Sequence, residues 1–258
     1  MKTILITGCS SGFGLETAKY FLDRDWTVVA TMRTPREGVL PHSERLRVQA
    51  LDVTDPESIH QAVEAAGPVD ALVNNAGFGA ASPFEATPLV AVREVFETNT
   101  FGTMAVTQAV LPQFRQRKAG VVVNITSSVT LKSIPLIASY TASKAAVNAF
   151  TESLALEVEP FGVRVRLVVP GRSPETRFGD NAHSHTHGLD HEAYADLVNA
   201  FFARTAEPGP ITHAQDVAEA VWRAVHDPST PMRILAGADA MIWAGQVEPG
   251  VCRTTSEH

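Results

Sequence analysis

The chain alternates between short apolar runs rich in β-branched residues and longer stretches in which apolar positions recur every three or four residues. The short runs at 3–7, 26–32, 46–51, 71–73, 120–125, 163–169 and 233–236 are read as buried strands. Between them, Leu15, Ala18, Phe21 and Leu22 open a helical pattern, and 89–117 carries a long amphipathic one. Further helices are expected from the segment holding Tyr140 and Lys144 as far as Val158, and over 213–227. Strand followed by helix, repeated along the whole chain, predicts an α/β fold: a doubly wound parallel sheet with helices on both faces. No internal repeat or linker divides it, so 1–258 is read as a single domain. The periodicity fails only over 172–210, where a short helical piece at 193–202 sits among glycines, prolines and histidines. A loop of that length in a compact domain is usually a lid, here over a substrate.

Composition narrows the partners. The 258 residues carry a net charge of −7, with 45% apolar content and scattered basic residues, which argues against a nucleic-acid or anionic-membrane surface. Cys9 and Cys252 lie far apart and neither belongs to a C-x-x-C pair, so neither a disulfide scaffold nor zinc is indicated. The N-terminus lacks the apolar core of a signal peptide, and no run reaches the ~18 apolar residues of a membrane span. A cytoplasmic protein acting on small organic molecules is the expectation. His183, His185, His187 and His191 alternate in the aperiodic stretch, but no acid or cysteine cluster completes a metal site, and no metal is expected.

Chemistry concentrates at the ends of the expected strands. After the first comes Gly8-Cys9-Ser10-Ser11-Gly12-Phe13-Gly14 and then a helix, an order that lets backbone approach a pyrophosphate at a helix N-terminus. The second ends in Met32-Arg33, with Arg36 close by and no acid, which favours the 2′-phosphate of NADP(H) over the free ribose of NAD(H). Asp52 ends the third, near where adenine would lie. Asn74-Asn75-Ala76-Gly77 ends the fourth, with small residues and amides suited to a crowded crossing. Asn99 sits inside the long amphipathic segment, where Asn is a poor helix former and a solvent-facing position would be the ordinary explanation. Thr126-Ser127-Ser128 ends the fifth strand. Tyr140 and Lys144 are four apart on one helix face, where an ammonium would favour a phenolate and lower the phenol's pKa.

In this order and at these intervals, Thr7-Gly8-x-x-x-Gly12-x-Gly14, Asn74-Asn75-Ala76-Gly77, Asn99, Ser127, Tyr140-x-x-x-Lys144 and Pro170-Gly171 resemble the short-chain dehydrogenase/reductase family. The likeness is dense over 3–171 and looser to 237. It implies a seven-stranded Rossmann fold and an NADP(H)-dependent ketoreductase or alcohol dehydrogenase. In that reading Tyr140 is the general acid or base, and Lys144 lowers its pKa and binds the nicotinamide ribose. Ser127, thirteen residues before Tyr140, holds the substrate oxygen, and Asn99 positions a water of the proton relay. The resemblance assigns Gly8, Ser11, Gly12, Phe13 and Gly14 to the pyrophosphate, Arg33 to the 2′-phosphate, and Asp52 and Val53 to adenine. Asn75, Ala76 and Gly77 line the nucleotide groove, Pro170 and Gly171 count among the cofactor contacts, and Thr176 is the candidate for the carboxamide. One extra residue separates Thr176 from its usual distance after Pro170-Gly171. A short likeness of Pro231-Met232-Arg233 and Gly237-Ala238-Asp239-Ala240 to the hydroxysteroid and retinol dehydrogenase branch favours hydrophobic ketones, aldehydes or alcohols and a homodimer, with a homotetramer as the other arrangement. The other class of function compatible with these motifs is a non-catalytic NADP(H)-binding sensor. A serine hydrolase is excluded, because Ser127 has neither a nearby His nor a G-x-S-x-G elbow.

Overall fold

A computed structural model describes residues 2–36, 38–176 and 185–245. Seven strands form one parallel sheet: β1 (Thr3–Ile6), β2 (Thr27–Met32), β3 (Leu46–Ala50), β4 (Ala71–Asn74), β5 (Gly120–Ile125), β6 (Val163–Pro170) and β7 (Arg233–Ala236), in the order β3-β2-β1-β4-β5-β6-β7. The order reverses between β1 and β4, and ligands of open α/β sheets bind in the crevice at such a reversal. All seven expected strands form, with ends displaced by no more than a residue.

Because both sheet faces are covered, central strands are apolar on both sides. Ile4 and Ile6 point into a core shared with Phe21 and Trp26, over which α1 (Gly12–Leu22) and α7 (Ala214–His226) pack. Leu5 points the other way, into a core with Val106, Phe114 and Leu154 under α2 (Pro56–Ala66), α4 (Gly102–Arg117) and α5 (Ala138–Val158). The start of α2 is set locally. Asp55 accepts from the Glu57 N–H at 3.0 Å, and Pro56 occupies the first turn, where its missing N–H is harmless.

The long amphipathic segment at 89–117 is not one regular helix. It is α3 (Leu89–Phe96), a π-helical turn over Glu97–Phe101, and α4. The π turn inserts a residue into the helical ladder, and such insertions recur at functional sites. The piece expected at 193–202 is α6 (Ala195–Ala206), preceded by a 3-10 turn at Glu192–Tyr194. A short helix, α8 (Ala238–Trp243), follows β7 where no element was expected. Among the described residues no helix is long and apolar enough to cross a membrane, and no cluster of His, Cys, Asp and Glu could hold a metal ion. His183 and Cys252 lie outside the described residues; Cys9 is buried with its thiol free.

Candidate active site

A cleft of about 880 Å³ opens at the C-terminal ends of β1 to β5, and most of the residues singled out from the sequence line it. Gly8, Ser11, Gly12 and Phe13 line it from the loop after β1, with Thr176 beside Gly12; Arg33, Asp52 and Val53 line it from the loops after β2 and β3, Asn75, Ala76 and Gly77 from the loop after β4, and Tyr140 and Lys144 from α5.

The glycine loop is shaped by what it must pass. Gly8 has φ +74, and a Cβ there would stand 2.9 Å from the Ala76 Cα, so the β1 and β4 ends meet only because the side chain is missing. Asn75 Nδ2 donates to the Thr7 carbonyl at 2.9 Å and the Gly8 carbonyl at 3.1 Å. The Thr7 hydroxyl accepts the N–H groups of Asn75 and Ala76, each at 3.0 Å. Thr7 is thus the joint between the two loops, a role its place in an apolar strand run did not signal. Gly12 keeps the loop open toward the cleft, and a Cβ on it would come within 3.3 Å of Thr176.

At the other side of the cleft, Arg33 and Arg36 stand at the β2 end. Arg36 is steadied by donating to the Ser10 carbonyl at 3.3 Å. Asp52 accepts both the N–H (2.9 Å) and the hydroxyl (2.7 Å) of Thr54, which fixes the turn that carries Val53. Glu94 and Glu97 also line the cleft, two acids that the sequence did not single out.

Tyr140, Lys144 and Ser127 converge. Tyr140 and Lys144 are buried on one face of α5, and the Tyr140 hydroxyl is hydrogen-bonded to Ser127. Ser127 and Ser128 are both buried, Ser127 preceding and Ser128 opening a 3-10 turn, and it is Ser127 that is hydrogen-bonded to Tyr140. The Lys144 ammonium donates to the Ile125 carbonyl at 3.0 Å. The expected lowering of the phenol's pKa is corrected here: burial pushes Tyr140 up to about 12, outweighing the opposing hydrogen bond from Ser127. Burial also brings Lys144 down to about 8. Desolvation disfavours the charged form of each: the phenolate of Tyr140 and the ammonium of Lys144.

Asn99 is fully buried on the π turn, contrary to a solvent-facing position. Its Oδ1 accepts the Phe78 N–H at 3.0 Å and its Nδ2 donates to the Phe78 carbonyl at 2.9 Å, clamping the backbone just past Gly77. Nδ2 also reaches Ser143 Oγ at 3.1 Å, and Ser143 in turn donates to the Tyr140 carbonyl at 2.7 Å. Ser143, between Tyr140 and Lys144 in sequence, was missed; a buried serine in mid-helix is its only signal. Pro170 and Gly171 stand back from the cleft wall. The Gly171 N–H donates to the Thr212 hydroxyl at 2.8 Å, and a Cβ at 171 would run into the Asp239 carboxylate.

On the substrate side, the loop after Gly77 is tied to the loop before α5 by the Ser82 N–H and the Leu136 carbonyl, 2.7 Å apart. A small recess between them is bounded by Ala80, Leu136, Ser139 and His185. His185 stacks on Phe78 with ring centroids 4.1 Å apart and borders the cleft as well as the recess.

The fold and this cleft define a doubly wound α/β protein with an open crevice at the strand-order reversal. The profile of the short chain dehydrogenase family matches residues 2–185. The chain belongs to this family and is an oxidoreductase. It is 36% identical over 241 residues to a 3-ketodihydrosphingosine reductase of Bacteroides thetaiotaomicron, covering 92% of this chain and 88% of that one. It is 41% identical over 181 residues to the uncharacterized oxidoreductase YusZ of Bacillus subtilis, over 66% of this chain and 64% of that protein. To bovine retinol dehydrogenase 8 it is 40% identical, and the match spans 58% of that protein's length. A short-chain dehydrogenase from Streptomyces avermitilis superposes with a TM-score of 0.82 at 35% identity, covering 95% of this chain and 90% of that one. A Burkholderia cenocepacia short chain dehydrogenase in complex with NADP superposes at 0.74 and 26% identity, over 95% and 93% of the two chains.

Proposed function

We propose that this chain transfers a hydride between NADP(H) and a ketone, aldehyde or secondary alcohol, with Tyr140 as the acid or base. One observation carries the reading: the Tyr140–Ser127 hydrogen bond and the Lys144 ammonium stand at one end of a cleft whose other end presents Arg33 and Arg36. The cradle fits a dinucleotide. The glycine loop leads into the N-terminus of α1, and its Gly8, Ser11, Gly12 and Phe13 line the cleft there, where a pyrophosphate would meet backbone N–H groups. Gly8, Ser11, Gly12, Phe13 and Gly14 would hold the pyrophosphate, Arg33 with Arg36 a 2′-phosphate, Asp52 and Val53 the adenine, and Thr176 the carboxamide. The nicotinamide, when bound, supplies or accepts the hydride.

The chain's own residues manage the oxygen and its proton. Ser127 and Tyr140 donate to the carbonyl oxygen and stabilise the charge that develops there. A phenol at about 12 keeps its proton at neutral pH and can surrender it to an alkoxide, a much stronger base. Lys144 at about 8 remains largely an ammonium at neutral pH, available to a ribose hydroxyl and to the phenolate left behind. Asn99 serves by holding Phe78 and Ser143, and thereby the floor beneath Gly77 and the first turns of α5.

The keto substrate in the name of the Bacteroides relative supports a carbonyl compound here. Association into a homodimer or homotetramer belongs to the same reading and is supported by the exposed apolar side chains of Leu89, Val90, Phe101 and Leu156. The test is a panel of ketones and aldehydes incubated with NADPH deuterated at nicotinamide C4. The reading expects deuterium at the carbinol carbon of at least one product. Tight NADPH binding with no labelled alcohol across the panel would contradict it and favour a sensor.

A further inference from the structure

Helix α6 buries only one of its side chains, Val198, and leaves Leu197 and Phe202 exposed. Apolar packing therefore does little to fix it, and elements with few buried contacts open readily. Its placement depends on polar tethers at two ends. At the front, the Tyr194 hydroxyl donates to Glu85 at 2.7 Å and the His187 N–H to Ser82 Oγ at 2.8 Å, both on the loop that follows Phe78. At the rear, the Arg172 guanidinium donates to the Thr205 carbonyl and, at 3.3 Å, to the Glu207 carbonyl. Those carbonyls belong to the C-terminal end of α6, where orphaned acceptors and the negative end of the helix dipole favour a cation.

Arg172 is a rigid anchor for that purpose. Its N–H donates to the buried Asp239 carboxylate, and its carbonyl accepts the Thr212 N–H at 2.8 Å. The Thr212 hydroxyl donates to the same Asp239 at 2.7 Å. The backbone at the end of β6 is thus fixed on both sides, and only the arginine side chain reaches out to the helix.

We infer that Arg172 is a positioning residue: it clasps the C-terminal end of α6 to the end of β6 and so holds the 185–206 segment over the substrate side of the cleft, setting affinity for the carbonyl substrate. The fork of the guanidinium bridges two carbonyls, which a lysine ammonium cannot do with the same geometry. The link to substrate rests on the reductase reading, whereas the clasp does not.

Two measurements on the full chain separate them. Amide hydrogen exchange of 195–206 should quicken about tenfold or more in Arg172→Ala while exchange in β1 and β5 stays unchanged, with Arg172→Lys in between. In NADPH-coupled turnover of whichever panel ketone is reduced, Arg172→Ala should raise KM about tenfold, with kcat and the Kd for NADPH within about threefold of the parent. Glu85→Gln, which weakens only the front tether, should raise KM less. Unchanged exchange in 195–206 overturns the clasp, and so does an equal fall in kcat accompanied by faster exchange throughout the sheet. Quickened exchange in a protein that reduces no ketone keeps the clasp and defeats the reductase reading.

Discussion

Arg33 is the single charge on which the proposed preference for NADP(H) rests. It and Arg36 line the cleft beside the end of β2, where the proposed reading puts the adenosine ribose, and no acid ends β2 to compete for a 2′-OH. A charge-assisted contact to phosphate contributes ~1.5–3 kcal/mol, or roughly 10–100-fold in affinity. Arg33→Ala should therefore weaken NADPH binding by about that factor and leave NADH binding nearly unchanged, as measured by titration calorimetry with both nucleotides. Lys144 lends itself to a stability test. Its folded pKa is depressed from 10.5 to about 8, so between these values the native chain binds fewer protons than the unfolded one and stability rises with pH. Tyr140 has the opposite sign, raised from 10.0 to about 12, and erodes stability only above pH 10. Urea unfolding should show the parent gaining on the order of 1–2 kcal/mol from pH 8 to 10 relative to Lys144→Met. A pH profile identical in the two proteins would contradict the buried, depressed lysine.

At the scale of elements, the π turn does the most with the least sequence signal. It turns Asn99 inward, so that one amide holds both polar groups of the Phe78 backbone and Ser143. Asn99→Ala leaves the half-buried Phe78 N–H and carbonyl without this partner, each costing about 1–3 kcal/mol. We predict a loss of about 2 kcal/mol or more in denaturant unfolding, together with reduced turnover; a fully stable Asn99→Ala protein would show the clamp to be dispensable. The strands were legible because both faces of the sheet are covered: Val121, Val122 and Val123 leave little choice but a buried strand. The glycine loop and the Tyr140–Lys144 face were legible because their spacing is set by local geometry. The π turn was not, since its apolar positions continue the period of the flanking helices, and α8 was not, being a single short turn following Gly237. The depressed phenol expected from an i, i+4 cation failed for another reason: sequence shows that a lysine is near, but not that both groups lie under the protein surface.

For the molecule as a whole, one cleft draws on five strand ends, α1, the π turn and α5, so a ligand filling it ties both halves of the sheet together. At one hundred times its Kd, NADPH should stabilise the fold by about 2.7 kcal/mol, a rise in Tm of roughly 5–10 °C for a chain of this size. Scanning calorimetry should give a smaller rise with NADH at the same concentration, and equal shifts would contradict the assignment of the β2 end to a 2′-phosphate. The glycine loop, Asn75 and Thr7 form the centre of this arrangement, and their mutual hydrogen bonds make the β1–β4 reversal a rigid base on which the Tyr140 end can act.

The central claim is that Tyr140 moves the proton, and single-turnover oxidation of NADPH in Tyr140→Phe tests it most directly. The substitution removes one hydroxyl and its bond to Ser127 while keeping the buried ring. A rate of hydride transfer lower by about 10²–10⁴, with NADPH bound as tightly as in the parent, is the predicted result. Transfer at the parent's rate in a folded, NADPH-bound Tyr140→Phe protein would contradict it.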